Sequence, residues 1–188
     1  MPLPNAFAIV GLVVWLGFEL VLRRRDPGTA TWQGGASDRN STMLLLATFG
    51  LALVLTLVLL NFDLGRTGLE VRWIGVAMIV AGLALRAWAM RVLGRYYTRT
   101  VRTLAQQALV TDGPYRSIRH PGYAGTLLVW TGYCLGVGDW IALLVVAGLL
   151  LAVYAWRIQA EENTMLATFG AAYQAYQRRT ARLIPLLY

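Results

Sequence analysis

From about Thr42 to Phe62 the chain runs without a charged residue and is built almost entirely of Leu, Ala and Val. A helix that apolar on every side has one stable setting, the hydrocarbon of a bilayer, where its backbone hydrogen bonds all close within the segment. Four further stretches read the same way: about Asn5 to Leu22, Val71 to Leu93, Pro121 to Val137 and Trp140 to Trp156. With 57% hydrophobic residues in 188, the chain is too apolar for an ordinary soluble domain. The expected fold is therefore all-α, a polytopic membrane helix bundle of about five transmembrane helices. After the fifth, Arg157 to Thr180 keeps Ile158, Met165, Leu166, Phe169, Tyr173 and Tyr176 at helical spacing and predicts an amphipathic cytoplasmic helix at the interface. The opening MPLPNAFAIV lacks the basic region of a signal peptide, so the first apolar segment is expected to be retained.

The 17 basic residues, all arginine, outnumber 9 acidic ones. Because they flank apolar spans, the partner they imply is the anionic membrane surface rather than nucleic acid. Nearly all lie after the first span, after the third, or in the C-terminal segment; the other loops hold essentially Arg66 and Arg72. Positive-inside counting then puts the N-terminus outside and the C-terminus in the cytoplasm. Cys134 lies alone in an apolar segment, where it is a packing residue. One His and one Cys make no metal-ligand set, and no metal is expected.

Chemistry concentrates in the second half. Gly113 to Tyr123 reads GPYRSIRHPGY, with Pro114 and Pro121 stiffening a non-helical entry to the fourth span and His120 the chain's only histidine. Gly138 and Asp139 allow only a tight turn before the fifth span, so the two spans form a hairpin, with Gly122, Gly125, Gly132 and Gly136 permitting close backbone approach. The hairpin returns Arg157, Glu161 and Glu162 to the neighbourhood of Arg119, His120 and Tyr123. Arg157 and Glu161 share a helix face, while Glu162 is turned by about 100° from it. Residues 1–93 thus read as a three-helix scaffold, and residues 94–188 as a cofactor-binding loop, a hairpin and a C-terminal helix. Two charges in the scaffold stand apart. Glu19 either approaches the interface or pairs with Arg23 to Arg25. Arg86 either faces the bundle and meets cofactor, substrate or a carboxylate, or snorkels toward the interface.

RHPGY at Arg119 to Tyr123, the short hairpin, the pair Glu161 and Glu162, FGAAYQAY at Phe169 to Tyr176 and the closing ARLIP, taken in that order, resemble the isoprenylcysteine carboxyl methyltransferase family of integral membrane enzymes. The resemblance covers about Gly113 to Pro185. It implies a membrane helix bundle with an S-adenosylmethionine pocket on the cytoplasmic side and a lipophilic methyl acceptor that enters from the bilayer, with an isoprenylcysteine-like carboxylate first in line. It also implies Tyr115, Arg119, His120, Tyr123 and Glu162 as cofactor contacts. Arg157 is assigned to the acceptor carboxylate, because a guanidinium can hold one bidentately. A carboxylate needs no general base; an amine, phenol or thiol would, with His120 or Glu161 as candidates. Backbone donors of Tyr115 to His120 are expected to help hold the cofactor's own carboxylate.

Two other functions fit parts of the chain. A sterol-reductase-like enzyme using NADPH shares an RHP-type loop and an ending similar to RLIPLLY, but paired glutamates stand in RIQAEENTMLAT where the reductases have a different segment. A non-enzymatic membrane scaffold explains the spans and leaves the Arg, His and Glu cluster without a reason.

Overall fold

A computed structural model describes residues 1–25, 41–94 and 109–184. The loop glycines before Ser41, Arg95, Arg99 and Arg102 of the polar stretch, and the last residues of RLIPLLY lie outside those residues. The elements are α1 (Leu3–Arg25), α2 (Ser41–Phe62), α3 (Leu69–Leu93), a 3-10 turn (Gly113–Arg116), α4 (Pro121–Val137), α5 (Trp140–Phe169) and α6 (Ala171–Arg179). Among the described residues four helices are long and apolar enough to cross a membrane: α1, α2, α3 and α5. The fourth predicted span, α4, is a 17-residue helix buried along almost its whole length.

That burial makes α4 the axis of the bundle. Its glycines bring it against α3, and this corrects the expectation that they serve the hairpin with α5. A Cβ added at Gly132 would lie 2.6 Å from the Gly75 carbonyl, and one at Gly125 would lie 2.7 Å from that of Gly82. Small residues in register on both helices replace side-chain interdigitation by backbone contact, which is how helices associate where no water drives them together. Gly122 faces open space. On α3 the buried positions Gly75, Ile79, Gly82, Arg86 and Ala89 alternate by fours and threes, a heptad seam. On α1, Ala8, Leu12 and Trp15 continue it. Trp15, Phe49 of α2 and Trp130 fill the centre, the Phe49 and Trp130 rings stacked at 5.5 Å and Trp15 edge-on to both.

The α4–α5 turn closes as the sequence requires. Gly138 takes φ of +102°, a conformation open to glycine, and the Asp139 side chain caps α5 by accepting from the Ala142 N–H at 2.8 Å. The C-terminal segment departs from expectation. α5 runs unbroken through Arg157, Glu161 and Glu162 to Phe169, and only Gly170 separates it from the short α6. At about 1.5 Å per residue the whole of α5 exceeds a bilayer's hydrocarbon thickness, so its last turns carry the glutamates out of the apolar layer as part of a rigid rod. Exposed tryptophans mark the two interfaces, Trp73 and Trp140 at one end and Trp88 and Trp156 at the other. Arg157 follows Trp156 directly, at headgroup level.

Candidate active site

The loop before α4 is fixed from two sides. Pro114 opens the 3-10 turn and Pro121 the helix, both at first-turn positions where a missing N–H costs nothing. The chain's last described residues then pair with the loop: Arg119 N–H donates to the Ala181 carbonyl at 2.8 Å, His120 N–H to that of Arg182 at 3.1 Å, and Ala181 N–H to that of Ser117 at 3.0 Å. Within the loop, the N–H groups of Tyr115, Ser117 and Ile118 donate to Asp112 and Pro114 carbonyls. The N–H groups of Tyr115, Ser117, Ile118, Arg119 and His120, expected to help receive a cofactor carboxylate, are therefore already engaged, those of Arg119 and His120 because the segment from Ala181 folds back alongside the loop.

The side chains converge. Glu162, 1% exposed, is the inner anchor: Arg119 Nε lies 2.7 Å from its Oε1, Gln177 Nε2 donates to Oε2 at 3.2 Å, and Arg182 Nε is 3.3 Å from Oε2. The Arg119 guanidinium also reaches the carbonyls of Gln177, at 3.1 Å, and Thr180, tying α6 to the loop. Glu161 looks the other way, as the helix geometry requires. The Tyr123 hydroxyl donates to its Oε1, and Arg157 Nε lies 2.5 Å from the same hydroxyl and 3.4 Å from Glu161 Oε1. Arg157 is 2% exposed, so this is no surface ion pair.

His120 stands between the two glutamates, Nδ1 at 3.3 Å from Glu161 Oε2 and Nε2 at 3.4 Å from Glu162 Oε1. It occupies the position before α4 without capping it through its side chain. Burial pulls the imidazole pKa down, but the two carboxylates outweigh it and hold it above the ordinary histidine value. Nε2 is buried and makes no hydrogen bond among the described residues. The ring stacks on Tyr123 at 5.8 Å, and Tyr123 on Tyr154 at 4.8 Å. Tyr115 enters differently: its carbonyl accepts from the Tyr176 hydroxyl at 2.7 Å, which docks α6 on the 3-10 turn.

Six of the seven expected site residues, Arg119, His120, Tyr123, Arg157, Glu161 and Glu162, thus form one network around the buried Arg157 and Glu162, with Tyr115 at its border. Gln177, Thr180, Arg182 and Tyr154 were not singled out from sequence. Arg182 lies within the ARLIP run that carried part of the resemblance; the others gave no signal, being ordinary polar or aromatic residues on helical faces. Among the described residues no group of His, Cys, Asp and Glu could hold a metal ion.

A model of the phospholipid methyltransferase family matches residues 71–172, more than half of the chain, which takes in α3 from its third residue and all of α4 and α5. The chain belongs to the phospholipid methyltransferase family. As a member it is an integral membrane methyltransferase, and the resemblance carried by RHPGY and the paired glutamates is borne out by its relatives. A probable protein-S-isoprenylcysteine O-methyltransferase of Oryza sativa subsp. indica is 27% identical over 178 residues, covering 94% of this chain and 93% of that protein. Protein-S-isoprenylcysteine O-methyltransferase A of Arabidopsis thaliana is 28% identical over 164 residues, 84% of this chain and 83% of that one. Among solved structures, that of a eukaryotic intramembrane Ras methyltransferase, an isoprenylcysteine carboxyl methyltransferase, shares the fold with a TM-score of 0.64 at 22% identity. It covers 76% of this chain and 52% of its own. The reductase and scaffold readings find no support among these relatives of a phospholipid methyltransferase family protein.

Proposed function

We propose that this protein transfers the methyl group of S-adenosylmethionine to the carboxylate of a lipidated, isoprenylcysteine-like acceptor. The observation that carries the reading is the convergence of the buried Arg157 with the partly buried Glu161, His120 and Tyr123 in one network at headgroup level, beside helices whose other faces are apolar. An amphiphile with its carboxylate at the interface and its chain in the bilayer matches that arrangement. The near-full-length relatives that act on isoprenylcysteine favour the same acceptor class.

The residues present fit the donor. A sulfonium cation suits the Glu161 carboxylate beside the stacked rings of His120, Tyr123 and Tyr154, and His120 Nε2, 3.4 Å from Glu162 Oε1 and without a hydrogen bond among the described residues, is a polar atom that a bound ligand can satisfy. His120, Tyr123 and Glu162 would hold the donor, with Arg119 fixing Glu162 and Tyr115 bordering the site through its docked turn. When bound, S-adenosylmethionine supplies an electrophilic methyl group. The protein's part is orientation and exclusion of water. Arg157, aligned by Tyr123 and Glu161, presents its guanidinium to the acceptor carboxylate, which is already ionised at neutral pH and needs no base. The site faces the cytoplasm in this reading, with the N-terminus outside.

The test is methyl transfer by purified protein in detergent from labelled S-adenosylmethionine, with an S-farnesylated cysteine bearing a free carboxylate as acceptor. The expected result is a base-labile methyl ester. Transfer to phosphatidylethanolamine instead would overturn the carboxylate assignment and make Glu161 or His120 the base, and binding of NADPH in place of S-adenosylmethionine would overturn the reading altogether. Reporters fused before Asn5 and after Tyr188 check the orientation; both on one side would refute it.

A further inference from the structure

Among the described residues the network leaves out the charged pair Arg86–Glu19, which is largely enclosed and grips the same turn of α4. Arg86 of α3 is 7% exposed and lies within the membrane-spanning part of its helix. One of its terminal nitrogens pairs with the Glu19 carboxylate of α1. The other donates to the Thr126 hydroxyl and, at 3.2 Å, to the Gly122 carbonyl. Gly122 and Thr126 flank Tyr123 on α4, the residue whose hydroxyl joins Glu161 to Arg157 and whose ring stacks on His120 and Tyr154. Gly125 brings α4 close enough for this: a Cβ there would lie 3.2 Å from that of Arg86. Glu19 thus pairs with Arg86, three helices being joined at one guanidinium.

Stability does not require such a pair. Two charges taken from water into a low-dielectric interior recover their desolvation cost only with good geometry, and well-packed apolar residues usually do as well or better. What the pair supplies is direction. A guanidinium held by a carboxylate on one helix, bonded to a backbone carbonyl just before Tyr123 and a hydroxyl three residues after it, fixes both the rotation and the height of that turn.

We infer that Glu19 and Arg86 are positioning residues that set Tyr123, and through it Arg157 and His120, for methyl transfer. The inference rests on the methyltransferase reading for its kinetic consequence but not for its structural one. Glu19 lies in α1, outside the region matched by the family model, so α1 is part of the working enzyme rather than a membrane anchor.

The experiment uses the full chain in detergent and compares wild type with Glu19→Leu/Arg86→Leu, which removes both charges together. Because His120 is the only histidine, histidine-labelled protein gives a single imidazole signal, a probe of the ring stacked on Tyr123 that needs no substrate. As a control, Arg72→Leu cuts the hydrogen bonds by which that residue, near the opposite end of α3, holds the Asn5 side chain and the Thr67 carbonyl. The double variant is expected to stay folded, to shift the His120 signal, and to lose roughly tenfold or more in kcat, while KM for S-adenosylmethionine changes less than about threefold. Arg72→Leu is expected to leave the His120 signal in place, and Arg86→Lys to recover part of the rate. An unmoved His120 signal in the folded double variant overturns the inference, whatever the rate does, and so does a wild-type kcat. If wild type transfers no methyl group to any acceptor while the His120 signal still moves, the positioning stands and the methyltransferase reading falls.

Discussion

At both ends of the seam where α1, α3 and α4 meet, an arginine of α3 ties the three helices together, and the two ties differ in what accepts the charge. Arg72 reaches the Asn5 side chain at 3.0 Å and the Thr67 carbonyl at 3.1 Å, and Asn5 in turn donates to the Val137 carbonyl at 3.1 Å. Arg86, two heptads further along the same face, reaches Glu19, Thr126 and the Gly122 carbonyl. The first arginine is half-buried and its partners are neutral; the second is nearly sealed and has a carboxylate. In a less screened setting an arginine without a counter-charge would be costly, so the deeper tie must be an ion pair. Only that deeper tie touches the turn that carries Tyr123. One end of the seam joins α1 and α3 to the end of α4, and the other lies against the turn that carries Tyr123.

Breaking one partner of each tie should separate them most sharply. Arg86→Leu leaves the Glu19 carboxylate, its side chain only 13% exposed, without its cation and is expected to cost about 3 kcal/mol. Arg72→Leu, which removes neutral hydrogen bonds, should cost about 1 kcal/mol. Unfolding in graded denaturing detergent measures both, and equal losses would erase the distinction.

A second contrast lies within the charged end. On the proposed assignment Arg157→Ala removes a charge-assisted contact of about 1.5–3 kcal/mol from the acceptor, so turnover should fall by roughly 10- to 150-fold with S-adenosylmethionine affinity nearly intact. His120→Ala and Glu162→Ala should weaken equilibrium binding of the donor directly. Loss of donor binding in a folded Arg157→Ala protein would move the guanidinium into the donor pocket.

Packing along the seam offers a smaller effect. Gly75→Ala places a methyl against the Gly132 and Gly136 backbone and is expected to destabilise by about 1–3 kcal/mol. Gly122→Ala meets open space and should stay within about 0.5 kcal/mol of wild type. Melting curves of the two variants decide it, and similar losses would mean that the α3–α4 approach is not what these glycines serve.

The smallest effect is a pH dependence confined to the charged end. The His120 pKa is held above its unfolded value by Glu161 and Glu162 against the opposing effect of burial. Its contribution to stability is therefore fully present below the unfolded pKa of about 6.5 and is lost as pH rises through the folded value. Wild type should melt at slightly lower temperature as pH rises through that window, and His120→Asn should flatten the trend. A rise in melting temperature over the same window would reverse the sign of the coupling.

How far the chain could be read from its residues varied with the range of the interactions involved. The apolar runs specify helices and a bilayer because hydropathy and length act residue by residue. The tight turn at Gly138 and Asp139 specifies a hairpin, and helical angles put Glu161 on the Arg157 face and Glu162 away from it. RHPGY and the glutamate pair were legible as one site because the hairpin brings them together. What spacing could not decide was which helix answers which. The α4 glycines meet α3 and not α5, since close packing depends on two surfaces matching at once. The polar C-terminal stretch continues α5 as far as Phe169, because the helix carries the buried Glu162 that Gln177 of α6 and Arg182 cover. Glu19 pairs with Arg86, sixty-seven positions away, and the loop's N–H groups go to Ala181 and Arg182. Each of these is a choice among partners of equal local plausibility, and in a low-dielectric interior the choice falls to whichever packing leaves no charge or backbone donor alone. That is a property of the assembled bundle, and no single segment contains it.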